Sequence, residues 1–432
     1  MTRRHFLGAT TAAVAAVTIV PRHVLGGPNF IAPNDRVNIA VIGAGGQGRY
    51  NTQFMLKEPD AQIVAVCDPY EKWDRGTGGR KPLKAEMEKL YLEKNVQRQC
   101  HDYADFRVLL EKEKGIDAIM CATPDHLHAL ISLAAMRLGK HVYCEKPLTH
   151  NIWEARLVAQ LAKETGVATQ MGNMGHSGEG IRQTCEWIWA GVIGKVREVH
   201  AWGDGGRWIT RPGRPPETPP VPAGFDWDLW VGPREFRPYH PSYTPGTWRG
   251  WWAFGSANLG DMGCHNLDPA FWALKLDTPL AVEATSPGVD PEISCHCTMY
   301  HYTYGPRGDM PPLKVIWYDG GLRPPHPDGI DPEQPLGEGG NGIIFVGDKA
   351  SSVAAAGAVL PDCFPPRCER IFSPPQKLCH VPKAIFATGW MPARAAHRPA
   401  ATSNTAPSSR KWSSWAMWPC AQDRSFSGTH PI

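Results

Sequence analysis

Apolar and polar positions alternate between two periods along residues 36–171. Residues 36–42 form a short β-branched run, the pattern of a parallel strand buried on both faces. The Gly-rich stretch 43–48 follows and opens a helical pattern that lasts to Leu56. Residues 62–67 predict a second strand ending at Asp68, and residues 83–94 and 103–114 predict helices. A third strand is expected over 116–121. An amphipathic helix follows over 126–138 and closes at Gly139, a residue suited to a helix C-terminus. Residues 141–144 predict a fourth strand, 152–165 a helix and 167–171 a further strand. Strands alternating with helices of this length predict an α/β class, with a doubly wound parallel sheet.

The pattern changes after residue 172. Residues 202–254 are rich in Trp, Pro and Gly and carry little periodicity. Residues 282–283, 292–303 and 313–318 alternate as antiparallel strands do, and 342–349 reads as a late strand and turn. We expect a second, α+β domain with a mostly antiparallel open sheet. Its long aromatic loops are suited to wall a carbohydrate-like ligand, because aromatic faces stack on C–H surfaces. The expected organisation is a leader over 1–26, a nucleotide-binding domain over 35–172, a second domain over 173–349 and an atypical tail over 350–432.

Composition bounds the reading. The chain has 432 residues, with 42% hydrophobic and 20% charged residues, which are globular values. A net charge of +3 gives no reason to expect nucleic acid or another polyanion as partner. Residues after Lys349 carry nine basic and three acidic groups and eleven prolines, with no sustained helical pattern. We read this tail as the product of a shifted reading frame, or else as a divergent extension. At the other end, Arg3-Arg4-His5-Phe6-Leu7 precedes an Ala/Val/Thr run too short and too weakly apolar for a membrane span. A basic start, a short apolar run and small residues at Val24 and Gly26 describe a signal peptide of twin-arginine type. The expected location is therefore periplasmic. The twelve cysteines do not suggest disulfides, since Cys67, Cys121 and Cys144 fall in apolar strand-like runs. Cys295-His296-Cys297 reads as a strand, and no metal site is expected.

The Gly-rich loop has the context that a dinucleotide fingerprint needs. It follows a strand, opens a helix and has an acid, Asp68, twenty residues after its last glycine. Gly43 permits the tight turn, Gly45 and Gly46 let backbone approach a pyrophosphate, and Gly48 lets helix pack on strand. Gln47 lies in the same turn, and the helix N-terminus attracts the phosphates. Asp68 would accept from ribose hydroxyls and repel a 2′-phosphate. NAD is favoured over NADP, with Lys72 and Arg75 keeping NADP in play.

Three further segments carry the chemistry: Cys121-Ala122-Thr123-Pro124-Asp125-His126-Leu127-His128, Glu145-Lys146-Pro147 and Asp261-Met262-Gly263-Cys264-His265. With the Gly-rich loop, and with Gly172-Asn173-Met174-Gly175-His176-Ser177, they resemble the Gfo/Idh/MocA oxidoreductases, most closely exported bacterial members, over residues 36–349. The resemblance implies hydride transfer between a sugar or cyclitol ring carbon and nicotinamide. It gives Lys146 the role of holding the reacting oxygen, His265 that of a base and Asp261 that of orienting them. Asp261 lies four residues before His265, so on a helix the two share a face. Which of Lys146 and His265 moves the proton is left open by spacing. Thr123, Pro124, His126, His128, Glu145 and Lys146 are candidates for cofactor contact, and Asn173, His176, Asp261 and His265 for substrate contact. A homodimer or homotetramer is expected by analogy. The alternatives are a glycosidase acting by transient ring oxidation, which in this family often lacks the lysine of the triplet, and a non-catalytic, cofactor-bound sugar-binding protein.

Overall fold

The computed structural model describes residues 31, 35–73, 78–94, 96, 98–205, 212–327, 333, 335–354 and 362–364. The leader and most of the tail lie outside these residues.

The first domain holds strands β1 (Val37–Ile42), β2 (Ala61–Cys67), β3 (His101–Tyr103), β4 (Ala118–Cys121), β5 (His141–Glu145) and β6 (Thr169–Gly172). Helices α1 (Gly46–Met55), α2 (Arg80–Glu93), α3 (Phe106–Lys112), α4 (Asp125–Arg137) and α5 (Ile152–Thr165) connect them. The six strands are parallel, in the order β3-β2-β1-β4-β5-β6. The apolar runs are buried on both faces of the sheet. Ile42, Val64, Cys121 and Cys144 pack beneath α4, while Ile39, Val41, Ile63 and Met120 pack beneath α2 with Leu83 and Met87. Strand order reverses between β1 and β4, which opens a crevice at the carboxyl ends of the strands. The Gly-rich loop, Thr123-Pro124, Lys146 and Asn173 follow β1, β4, β5 and β6 respectively at that edge.

The second domain holds α6 (Glu179–Trp189), β7 (Val196–Gly203), α7 (Trp227–Val231), α8 (Ala257–Asn266), α9 (Asp268–Ala273), β8 (Ala281–Thr285), β9 (Met299–Tyr304), β10 (Leu313–Asp319), β11 (Gly342–Gly347), β12 (Ser351–Ala354) and β13 (Asp362–Phe364). The sheet order is β13-β12-β11-β7-β10-β9-β8, and only the β7–β10 pair is parallel. Helices α6 and α9 cover one face, burying Cys185 and Ala270 against Val199, Val315 and Phe345. No described helix is long and apolar enough to cross a membrane.

Several sequence expectations need correction. The helix expected over 103–114 is shorter, because Tyr103 ends β3 and Asp105 caps α3 by accepting from the Arg107 amide (2.8 Å). Strand β7 and helix α6 carried no recognised signal. Residues 292–298 are loop, so Cys295 and Cys297 do not share a strand face; both are free thiols. The sheet also runs past residue 349 into β12 and β13.

The aromatic loop is a small core rather than an open wall. Trp227 and Trp230 stack at 4.9 Å, and Tyr243, Trp251 and Phe254 close around them. Its edge is tied to the first domain by stacking of Phe225 on Tyr70 (4.5 Å) and by the Asp226 amide donating to the Pro69 carbonyl (2.9 Å).

Candidate functional site

The loop after β1 is shaped by what its glycines exclude. Gly43 has φ +96°, and a Cβ there would lie 2.5 Å from the Ala122 carbonyl oxygen. A Cβ on Gly48 would collide with the Gly43 carbonyl. Gly46 faces open space, and Gly45 is the N-cap of α1 without a side-chain cap. The first amides of α1 are therefore free for an anion. The Trp73 indole stands over Gly45, 3.1 Å from where a Cβ would be.

Asp68 lies beneath this loop. Its Oδ2 accepts from the Ala44 amide and its Oδ1 from the Tyr70 amide, each at 2.9 Å. Burial raises its pKa to about 6, against the lowering effect of those amides and of Arg80. Each oxygen keeps a lone pair for a ribose hydroxyl. Arg80 is spoken for: it donates to the Asp68 carbonyl and pairs with Glu71 and Asp102. It is not offered to a 2′-phosphate. Open space at Gly46, uncapped amides and a buried carboxylate together fit NAD.

Glu145 is buried and joins loop to strand. Asn51 on α1 donates to Glu145 Oε1 (2.6 Å), and Gln47 donates to Asn51 (2.8 Å). Burial raises the Glu145 pKa, with Asn51 and the charges of His128 and Lys146 opposing. Gly172 makes room for it, since a Cβ there would lie 2.6 Å from Glu145 Oε1. Thr123 turns its hydroxyl towards Cys121 Sγ (3.4 Å) and the Pro124 carbonyl (3.3 Å), and Pro124 is the N-cap of α4.

His126 and His128, expected at the cofactor, lie against main-chain carbonyls. His126 is 1% exposed, and its nitrogens meet the carbonyls of Phe254 (3.3 Å) and Trp230 (2.9 Å). Burial lowers its pKa to about 3. His128 meets the carbonyls of Pro147 and Thr123, both at 2.7 Å. Neither ring has a nitrogen left for a dinucleotide; both fasten loops. Cys121, His128 and Cys144 bring their potential ligand atoms within 4.8 Å of one another. Both His128 nitrogens point at carbonyl oxygens, so no lone pair of that ring is directed to a metal.

The candidate residues Lys146, Asp261 and His265 lie on or against α8. Asp125 at the start of α4 accepts from the Ser256 amide (3.0 Å) and hydroxyl (2.9 Å), just ahead of α8. In the same first turn, Asn258 donates to the Gly203 carbonyl (3.0 Å), so α8 is held by both domains. Lys146 Nζ donates to Asp261 Oδ1 (2.5 Å) and to the Asp261 carbonyl (2.8 Å). Arg249 Nε lies 3.0 Å from the same Oδ1, with its guanidinium 4.3 Å from the Trp248 ring. Burial raises the Asp261 pKa, but Arg249 and Lys146 outweigh it and leave the carboxyl below its usual value. For His265, burial and then the Lys146 ammonium lower the pKa to about 4, against Asp261. The imidazole is neutral at pH 7. Its Nδ1 lies 2.6 Å from Asn173 Oδ1. Asn173 Nδ2 donates to the Cys264 carbonyl (2.8 Å) and to Asp268 (3.0 Å), and His176 Nδ1 lies 2.9 Å from Asp268. His176 also stacks on Trp272 at 4.4 Å.

Lys146, Asp261 and Arg249 thus form one cluster and His265, Asn173, Asp268 and His176 another, with Asp261 and His265 one turn apart on α8. Sequence reasoning missed Asn51, Arg249 and Asp268. Asp268 had a signal, lying three residues after His265; Arg249, twelve before Asp261, had none.

Two family models match the chain. One describes an oxidoreductase family, NAD-binding Rossmann fold, and covers residues 37–173. The other describes the C-terminal alpha/beta domain of the same family and covers residues 200–312. The chain is 31% identical over 161 residues to scyllo-inositol 2-dehydrogenase (NAD(+)) of Bacillus subtilis, covering 37% of this chain and 42% of the relative. It is 35% identical over 147 residues to a glycosyl hydrolase family 109 protein of Stenotrophomonas maltophilia, 34% of this chain and 29% of that one. These matches span less than half of the relatives' lengths. A WlbA dehydrogenase of Bordetella pertussis, solved with NADH and UDP-GlcNAcA, aligns over 74% of this chain and 77% of its own, at 15% identity and TM-score 0.47.

Proposed function

Because the chain belongs to the Gfo/Idh/MocA family of NAD-binding oxidoreductases, we propose that it transfers a hydride between a ring carbon of a sugar or cyclitol and NAD. The observation that carries the reading is the meeting of Lys146, Asp261 and His265 beside the dinucleotide loop.

When bound, NAD supplies a two-electron acceptor at C4 of the nicotinamide. The protein must then handle one proton and one oxygen. Neutral His265 takes the hydroxyl proton on Nε2 as the hydride leaves the carbon. Lys146 spends two of its three N–H donors on Asp261 and keeps one for the substrate oxygen, whose charge it stabilises. Asp261 aims the ammonium and balances part of its charge. Asn51 and Glu145 hold the phosphate loop and the lysine strand in one register. The favoured division of labour is therefore His265 as base and Lys146 as oxygen-binding cation.

The test is to follow NADH absorbance across a panel of inositols, hexoses and sugar acids. No turnover of any of them by a chain that binds NAD would end the reading. A second reading, a glycosidase using transient oxidation, is favoured by similarity to glycosyl hydrolase family 109 proteins. It predicts aglycone release without net NADH. Export by a twin-arginine route and assembly as a homodimer or homotetramer belong to the same proposal. They rest on Arg3-Arg4-His5-Phe6-Leu7 and on family likeness, and are tested by fractionation and by light scattering.

A further inference from the structure

One carboxylate at the site is used by none of the steps above. Asp268 at the start of α9 is 3% exposed and belongs to neither the lysine pair nor the dinucleotide loop. It is nevertheless in contact with two site residues. Its Oδ2 accepts from Asn173 Nδ2 (3.0 Å), and both of its oxygens lie within 3.0 Å of His176 Nδ1.

These contacts fix more than position. An ionised carboxylate only accepts, and so does the Cys264 carbonyl 2.8 Å from the same amide nitrogen. The Asn173 side chain can satisfy both only with its NH2 turned towards them. Its Oδ1 is then committed to His265 Nδ1 at 2.6 Å. That oxygen also only accepts, so His265 must carry its proton on Nδ1. The ring is neutral, so Nε2 is left as a lone pair. By the same logic His176 carries a proton on Nδ1.

We propose that Asp268 is a positioning residue whose carboxylate, through Asn173, sets the tautomer of His265 and, directly, orients His176 with Nδ1 protonated. The inference rests on the hydride-transfer reading for the use made of His265, since a base needs its lone pair on the nitrogen that faces substrate. Asn173 and His176, expected as substrate contacts, are members of this relay first. The relay spans four elements: the end of β6, the 3-10 segment Met174–Ser177, the last turn of α8 and the first turn of α9. Each of its links joins residues 92 or 95 positions apart in sequence.

The test uses the full-length chain labelled with 15N-histidine, with long-range proton–nitrogen NMR at pH 7 and without substrate. The His265 and His176 signals are assigned from His265→Gln and His176→Gln. In the unaltered chain both rings should carry Nδ1–H, with His265 Nε2 unprotonated. Asp268→Asn should release both rings into tautomer mixtures. Asn173→Ala should release His265 alone and leave His176 unchanged. Each variant should lower kcat by up to about 10²-fold, the lower end of what a positioned general base contributes, with KM nearly unchanged. An Nε2–H His265 in the unaltered chain, or an unaltered His265 tautomer in both variants, would overturn the inference. If Asp268→Asn does not fold, as judged by melting and NAD binding, the Asn173→Ala spectrum decides. Tautomers as expected in a chain that oxidises no sugar would sink the hydride-transfer reading and leave the relay standing.

Discussion

Lys146 and Asp261 are 115 residues apart in sequence and 2.5 Å apart in the structure. The contact joins the lysine after β5 to α8, and so joins the nucleotide domain to the helix that carries His265. Lys146→Met should leave NAD affinity unchanged and lower kcat by about 10²–10³-fold, as losing one donor to a developing oxyanion does. Asp261→Asn does something different. It leaves Lys146 and Arg249 facing each other without their shared anion. Breaking a largely buried pair in this way costs up to about 3 kcal/mol, which urea unfolding would read. Full stability in Asp261→Asn would mean that the carboxylate does not hold the two cations together.

The pH response follows from His265. Its pKa in the fold is about 4, below the ordinary 6.5 or so of an exposed histidine. The active, neutral form therefore persists to low pH, and kcat/KM should be flat through pH 6 and fall with unit slope near pH 4. Stability moves in the same direction. A histidine lowered by folding takes up its proton first in the unfolded chain, so its contribution is complete above about 6.5 and fades as pH falls towards 4. His126, lowered to about 3 by burial, adds to the same acid destabilisation. Lys146→Met removes a neighbouring cation and should raise the His265 midpoint in an NMR titration. A midpoint near 6.5 in the unaltered chain would show that burial and Lys146 do not act on this ring.

Asn51 offers a stability measurement away from the chemistry. Its amide donates to a Glu145 carboxylate that is 6% exposed. Asn51→Leu removes that donor and costs about 1–3 kcal/mol, the price of a buried acceptor left short. The melting temperature should fall, and NAD affinity should fall with it, since Asn51 also holds Gln47 in the loop helix. An unchanged melting temperature would mean that Glu145 finds another partner.

The parallel sheet was legible because each of its long strands is buried on both faces, so that residues 39–42 and 63–67 read as unbroken apolar runs. Gly43 was legible because its left-handed turn demands glycine. The failures have a common cause. His126 and His128 look like ligands in sequence, and only the fold shows that their nitrogens meet the main-chain carbonyls of Phe254, Trp230, Pro147 and Thr123. The tryptophans of the loop over 202–254 look like stacking platforms until Phe225, Trp227 and Trp230 are seen packing on one another. Strand β7 alternates buried and exposed positions weakly, as Val196 to Gly203 pair with strands drawn from 110 and more residues away. Arg249 joins the site through a one-turn 3-10 segment, Trp248–Gly250, that no periodicity marks.

Two glycines of one loop separate folding from ligand binding. Gly43 has a left-handed φ, and a Cβ there would strike the Ala122 backbone. Gly43→Ala should therefore damage the fold itself, with a lowered melting temperature whether or not NAD is present. Gly46 is exposed at the first turn of α1, with no atom within 4 Å of the Cβ position. Gly46→Ala meets no steric conflict in the protein, and alanine favours a helix by up to about 1 kcal/mol over glycine. Its melting temperature without ligand should be equal or higher. If the pyrophosphate sits on these amides, the added methyl occupies its approach, and the NAD dissociation constant should rise by about tenfold, a loss of about 1.4 kcal/mol. The two readouts then move in opposite directions in one variant, which a general loosening of the domain cannot produce. Calorimetric titration of Gly46→Ala showing undiminished NAD affinity would place the phosphates elsewhere.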